Sequence, residues 1–234
     1  MAEQTVNRTE IPGKMSNIKF NFPGNYRGKI GNLIISSWKG RPYVKMKPER
    51  IKDARTPDQI MQRSKFAMIN HILSPLSPFL RLGFGAYTQQ MTAYNAAVSW
   101  NMKHAFDGTG SQAAVDYQRL QFSRGTYATV DNAACRAAEG LNLELSWNPE
   151  HEPGNGRDDD RIFAVVVNET LDESNYYAEI AGRSSGSATI HLSTARPGDI
   201  IHCYLTVINP AKMPAGKNRQ YIADSIYLGR VVLG

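Results

Sequence analysis

LNLELSW, residues 141–147, places Leu141, Leu143, Leu145 and Trp147 at every second position, with Asn142, Glu144 and Ser146 between them. Successive side chains leave a strand on opposite sides, so this alternation predicts a strand with one face in a core and the other in water. Going outward, residues 161–168 (RIFAVVVN) are apolar at consecutive positions, as an inner strand covered on both faces would be. Residues 188–193, 199–209 and 223–233 add three β-prone runs. Before them, Val115, Tyr117, Leu120 and Phe122 also follow period two, up to the turn-like Ser123-Arg124-Gly125. Turn-forming clusters at 154–160, 182–186, 197–198 and 210–216 separate the later runs. Short strands at this spacing predict a β-sandwich or barrel over residues 111–234.

Upstream the period changes. Thr56 is a good N-cap, Pro57 suits the first helical position, Asp58 complements the helix dipole and Gln59 completes a Thr-x-x-Gln capping box. A helix is therefore predicted to start at Pro57, with an apolar stripe through Ile60, Ala67 and His71. Met61, Met68 and Ile72 lie on the adjoining row, and Ser74-Pro75 stops the helix. Ser77-Pro78 begins a short further turn ending at Gly83. A second long helix is predicted over about residues 89–106, with Met91, Tyr94, Val98, Met102 and Ala105 on one side. The two helices are expected to pack as an antiparallel pair. Still earlier, Ile18, Phe20 and Phe22 alternate before Pro23-Gly24, and residues 33–38 and 42–46 form a hairpin pattern around Lys39-Gly40. The expected fold class is α+β: N-terminal β-hairpins and a helix pair in a domain over 20–110, joined to a sandwich domain over 111–234.

Composition limits the function. With 234 residues, 41% hydrophobic and 21% charged, the chain has the make-up of a globular protein, which excludes general disorder. No apolar run approaches the roughly 20 residues that span a bilayer, so no membrane partner is expected. The N-terminus lacks the basic start and apolar run of a secretory signal, which predicts a cytoplasmic protein unless it travels inside a particle. Cys135 and Cys203 are the two cysteines, and so few in such a chain predict a reducing compartment and separate thiols. Their spacing around Trp147 mimics an immunoglobulin pattern, but Trp147 ends its own strand after an Ala-rich stretch that holds Cys135. The net charge of +6 is uneven: residues 1–65 hold 14 Lys and Arg against 5 Asp and Glu, whereas the remainder is net acidic. That asymmetry predicts a nucleic-acid or acidic-protein partner for the first quarter, or a basic face that docks on an acidic neighbour.

Two resemblances follow from these segments. LNLELSWNP (141–149) resembles the second strand of a fibronectin type III module, and HCYLTVINP (202–210) its penultimate strand. Over most of the chain, Gly28-Lys29-Ile30-Gly31-Asn32, then Trp38-Lys39-Gly40-Arg41-Pro42-Tyr43-Val44, RTPDQIMQRSKF (55–66), AYNAAVSWNMKHAF (93–106), Ser123-Arg124-Gly125, LELSW (143–147) and ADSIYLGRV (223–231) occur in an order similar to that of the DUF6266 family, uncharacterised proteins found mostly in Bacteroidota. The resemblance implies a shared core from about residue 24 onward, with residues 1–19 as a variable extension. It brings no activity, catalytic residue or cofactor.

His71, His104, His151, His191 and His202 show neither His-x-x-x-His spacing nor a Cys pair beside them, so structural or solvated roles are expected. The acidic loop, residues 150–160, lacks calcium-loop spacing and is expected to be solvated. Gly182-Arg183-Ser184-Ser185-Gly186 matches Gly-x-Ser-x-Gly, with Asp199 and His202 following in hydrolase order. A nucleophile elbow needs a helix after the serine, and a strand pattern follows instead. Neither catalytic residues nor a metal or other cofactor are expected.

The basic hairpins are the candidate contact site: Lys29, Trp38, Lys39, Arg41, Tyr43, Lys45, Lys47 and Arg50 combine cations with aromatics, the mix that tracks a phosphate backbone and stacks bases. In the competing reading the aromatics face a core and the cations of the opposite face meet water. The expected function is a non-enzymatic structural or assembly protein that self-associates or docks in a larger complex, such as a phage-like particle, with nucleic-acid binding through these residues as the alternative.

Overall fold

The computed structural model describes residues 27–38, 41–48, 55–108, 113–151, 156–209, 211 and 221–234. Contacts divide the chain into two compact units, Met1–Ala54 and Arg55–Gly234. The first holds an antiparallel three-stranded sheet in the order β1 (Gly28–Ile30), β2 (Leu33–Trp38), β3 (Arg41–Met46). Gly31 closes the β1–β2 link with a φ of 57°, a left-handed conformation that costs glycine little. The β2–β3 hairpin forms as expected, although its connection at 39–40 lies outside the described residues. So does the alternating run at Ile18, Phe20 and Phe22.

Helix α1 (Pro57–Leu73) starts where the capping residues predict: Thr56 Oγ1 accepts the Gln59 N–H at 3.3 Å. Its stripe is rotated from the one expected. Ile60, Ala67 and His71 are exposed, and the buried edge runs through Ile69, Ile72 and Leu73 into Leu76. The adjoining Met61, Met68, Ile72 row is the one that turns inward, with both methionines partly covered. The Ser77-Pro78 turn grows into a short helix, α2 (Ser77–Gly83), which buries Phe79 and Leu80. α3 (Ala93–His104) begins later than the periodicity suggests because Thr92 caps it, accepting the Asn95 N–H at 3.1 Å. Met91 therefore lies outside the helix and is exposed.

β4 (Phe106–Asp107) and β5 (Ala114–Val115) form a two-residue ladder. The strand expected onward through Tyr117 is replaced by a 3-10 turn, Tyr117–Arg119, which Asp116 caps by accepting the Gln118 N–H at 2.9 Å. Seven strands follow: β6 (Asp131–Ala138), β7 (Asn142–Asn148), β8 (Arg161–Asn168), β9 (Glu173–Gly182), β10 (Ser187–His191), β11 (Ile200–Ile208) and β12 (Ile226–Val232). They form two antiparallel sheets, β10-β7-β6 and β12-β11-β8-β9. β9 pairs with β8 rather than joining the β10 side, so the sandwich divides three and four, unlike the constant immunoglobulin division in which the fourth strand joins the first sheet.

The two central strands of the four-stranded sheet, β8 and β11, are covered on both faces. Ile162, Ala164 and Val166 of β8, with Ile201, Cys203, Leu205 and Val207 of β11, meet Leu143, Leu145 and Trp147 of the facing sheet. Phe163, Val165 and Val167, with Tyr204 and Ile208, pack instead with Ile69, Leu73, Leu76, Phe79 and Leu80 of the helical layer. Phe79 stacks on both Phe163 and Tyr176, at centroid distances of 6.0 and 5.9 Å. Full burial of an aliphatic or aromatic side chain stabilises by about 1.5–3 kcal/mol, so alternate β8 residues hold two interfaces of comparable strength. The result is three layers: helices, four strands, three strands. The helices thus belong to the same unit as the sandwich, and the described contacts place the division near residue 54 rather than after 110.

Candidate interaction site

Register assigns the N-terminal sheet two chemically distinct faces. Lys29 pairs with Ile34 and Ile34 with Lys45, while Ser36 pairs with Tyr43 two positions along. Directly paired residues share a face, so Lys29, Ile34, Lys45, Ser36 and Tyr43 lie together. Trp38 and Arg41 pair at the next position of the same parity. The other parity holds Ile30, Leu33, Ile35, Val44 and Met46. Strand alternation puts Tyr43 beside the lysines and leaves aliphatic residues opposite.

Four of the eight candidates are described in full. Lys29, Lys45 and Lys47 are exposed and Tyr43 is half-buried; Lys47 also donates its backbone N–H to the Asn32 carbonyl at 2.7 Å, extending the ladder. Trp38 and Arg41 have known ladder positions only, and Lys39 and Arg50 lie outside the described residues. On the aliphatic face Ile30 is 66% exposed, Leu33 44% and Met46 72%. Among the described residues, that apolar exposure on one short sheet is a departure from inside-out order.

In the second unit the polar constellations are internal. Asp160 and Arg183 are both buried, with Arg183 Nε 3.4 Å from Asp160 Oδ2. Asp160 accepts the Tyr127 hydroxyl on both oxygens, at 2.8 and 2.9 Å, and the Arg157 N–H at 2.9 Å. Arg183 donates to the carbonyls of Ala128 and Thr129, and its own carbonyl accepts Trp147 Nε1–H at 2.8 Å. Burial, partly offset by the hydrogen bond from Asn209, pushes the Tyr127 hydroxyl up to about 12. The cluster ties together the ends of three segments. Asp160 also corrects the picture of a wholly solvated acidic loop; Asp158 and Asp159 remain exposed, and no group of metal-ligating side chains occurs among the described residues.

The hydrolase order is not assembled. Ser184 sits exposed on a 3-10 turn that leads into β10, not into a helix. Asp199 accepts from Asn168 Nδ2 at 2.8 Å and from the Arg196 N–H at 2.9 Å. His202 takes part in a different chain: its Nδ1 lies 2.9 Å from the Tyr227 hydroxyl and its Nε2 2.9 Å from Glu169 Oε2, with Tyr117 stacked on the imidazole at 3.9 Å. Burial lowers the His202 pKa, although the hydrogen bond and charge of Glu169 oppose that shift. In the neutral ring Nε2–H donates to Glu169 and Nδ1 accepts from Tyr227, whose own pKa burial raises. A raised phenol is no nucleophile at neutral pH, so the chain is a structural tie between β11, β12 and the segment after β8.

Ser123-Arg124-Gly125 also proves structural. The Ser123 hydroxyl donates to the Ala223 carbonyl at 2.9 Å and meets Thr206 Oγ1 at 2.9 Å. The Arg124 N–H donates to the Gly83 carbonyl, and its guanidinium lies over Trp100 and Tyr87, at 3.4 and 4.8 Å from their centroids. Asp224 accepts the Gly125 N–H at 2.8 Å. α2 approaches so closely that a Cβ on Gly83 would lie 2.2 Å from the Phe122 carbonyl oxygen. These residues lock the helical layer to the sheet. A cleft of about 470 Å³ along α1 is lined by Ile60, Met61 and Met68, with Asp58 and Lys65 the charged residues among its described lining.

Taken together, the three layers and the two-faced sheet define a fibronectin-type β-sandwich protein with an added helical layer and a separate small sheet. The chain belongs to the family of unknown function DUF6266, which matches it over residues 25–229. The solved structures to which it is similar include the fibronectin type III domain of human collagen alpha-1(XX) chain, at 12% identity and a TM-score of 0.34, covering 48% of this chain and 92% of that one. They also include the FN1-FN3 domains of chicken CNTN1, at 7% identity and a TM-score of 0.36, covering 54% of this chain and 39% of that one. No curated protein matches.

Proposed function

We propose that this is a non-enzymatic assembly protein whose N-terminal sheet docks, through its aliphatic face, on another protein of a larger complex or on a second copy of the chain. The observation that carries the reading is the exposure of Ile30, Leu33 and Met46 on one face of β1-β2-β3. The second unit supports it through its charges: Asp160, Arg183 and His202 are engaged in contacts within that unit. Light-scattering mass of natively purified full-length chain tests the reading, with an oligomer or a stable complex expected. A strictly monomeric species at high concentration, with no partner recovered from the native host, would falsify it.

A second reading rests on the opposite face. Lys29 and Lys45 flank Ile34 beside Tyr43, which suits an anionic polymer with planar bases. Single-stranded DNA should then bind at low salt, and Lys29→Glu with Lys45→Glu should weaken binding and flatten its salt dependence by about 1.4 units of log–log slope. Absence of binding at low salt excludes this reading and leaves the first untouched, because the two use different faces.

A further inference from the structure

The interior between the two sandwich sheets holds two thiols face to face. Cys135 lies on β6, at the edge of the three-stranded sheet and opposite Leu145 of β7. Cys203 lies on β11, inside the four-stranded sheet, between Val166 of β8 and Gly229 of β12. Their sulfurs are 2.9 Å apart, and both cysteines are free. They are 68 residues apart in sequence, on strands of different sheets, so the contact is a product of the fold. Cys203 is buried, whereas Cys135, on an edge strand, is partly open to solvent. The gap to a bonded pair is roughly 0.9 Å, since a disulfide needs about 2.05 Å between sulfurs.

We propose that Cys135 and Cys203 are a dithiol site which a small-molecule disulfide, of the glutathione disulfide class, converts into a covalent link between the two sheets. The Cys135 thiolate attacks the oxidant disulfide, forms a mixed disulfide and releases one thiolate. Cys203 gives up its proton and its sulfur attacks the Cys135 sulfur, releasing the second thiolate. Two protein thiols are oxidised, one oxidant disulfide is reduced to two thiols, and the protons pass to the departing sulfurs. The division of roles follows the environments: the sulfur–sulfur hydrogen bond with Cys203 lowers the Cys135 pKa against the opposing effect of burial, and the same interaction together with burial pushes Cys203 well up. The accessible, more acidic sulfur therefore attacks and the buried one resolves. The cysteines are free, as expected, but the fold brings their sulfurs into contact.

The test uses the full-length chain, reduced, then incubated with excess oxidised glutathione without denaturant. Intact mass should fall by two hydrogens with no glutathione adduct retained, and peptide mapping should recover Cys135 linked to Cys203. The melting temperature of the oxidised form should exceed that of the reduced form by roughly 5–10 °C. Cys203→Ala should trap glutathione on Cys135 as a lasting adduct, and Cys135→Ala should leave Cys203 unreactive. A lasting adduct on the wild-type protein, a link between two chains, or unchanged mass would overturn the proposal. The wild-type mass and map decide the matter even where a variant folds poorly.

Discussion

The four-stranded sheet of the second unit and the three-stranded sheet of the first are built on the same alternation, yet one is consumed by folding and the other is not. In β8, residues of both parities are buried: Ile162, Ala164 and Val166 against the facing sheet, Phe163, Val165 and Val167 against the helices. In β1-β2-β3 one parity carries exposed Ile30, Leu33 and Met46 and the other exposed Lys29 and Lys45. Central strands with both faces spent on their own core leave a partner only the flanking β9 and β12. A sheet with exposed lysines on one face and exposed aliphatic residues on the other presents both.

The strongest way to break that contrast is to attack the charge that the second unit buries. Arg183→Met should leave Asp160 in the interior without its cation, while Tyr127 and the Arg157 N–H still point at it. Removing one partner of a buried pair costs about 3–5 kcal/mol. Urea titration of the full chain should show this loss, and replacing both partners with apolar residues of similar volume should recover part of it. A loss below about 1 kcal/mol would mean that the pair is hydrated in solution and the clamp is not closed.

How much of this was readable from the sequence depended on side-chain size. β7 and β8 were legible because Leu, Val, Ile and Trp mark a buried position unmistakably, and α1 because Thr56, Pro57 and Gln59 mark its start. β6 was hidden in DNAACRAA. Its partly buried positions Ala133, Cys135 and Ala137 do alternate with exposed Asn132, Ala134 and Arg136, but small residues give the period little contrast. β9 was hidden for another reason: Phe79 of α2 covers Tyr176, so the face that sequence reads as solvent is partly occupied. Asp160 and Arg183 looked like loop residues because nothing local reveals that two charges 23 positions apart meet inside. The two faces of the N-terminal sheet were recoverable in principle. Once β2 and β3 pair around positions 39–40, Tyr43 must fall on the parity of Lys45.

A smaller effect concerns pH. Burial lowers the His202 pKa in the folded chain below the ordinary value of 6.5, and in the unfolded chain that constraint is gone. The unfolded state therefore takes up the proton first as pH falls, and stability rises with pH across this range. The contribution is present above about 6.5 and is lost as pH drops through the lower, folded-state pKa. His202→Gln should keep neutral contacts to Tyr227 and Glu169 while removing the step, so the variant's melting temperature should fall less on acidification than the wild type's. An identical pH profile for the two proteins would place the imidazole in contact with water, and the second unit would then be less closed than its contacts indicate.

The smallest stability effect is expected where the functional effect is expected to be largest. Ile30→Ser and Met46→Ser remove apolar side chains that the chain itself leaves 66% and 72% exposed, so each should change stability by no more than about 0.5 kcal/mol. If the aliphatic face docks on a partner, the same pair of substitutions should shift the light-scattering mass toward the monomer or release the bound protein, with unfolding of the sandwich unchanged. A stability loss well above that figure would show that the face is covered within a single chain. The contrast between the two sheets would then be one of packing order alone, and the cationic face, tested by Lys29→Glu and Lys45→Glu, would be the surface left for recognition.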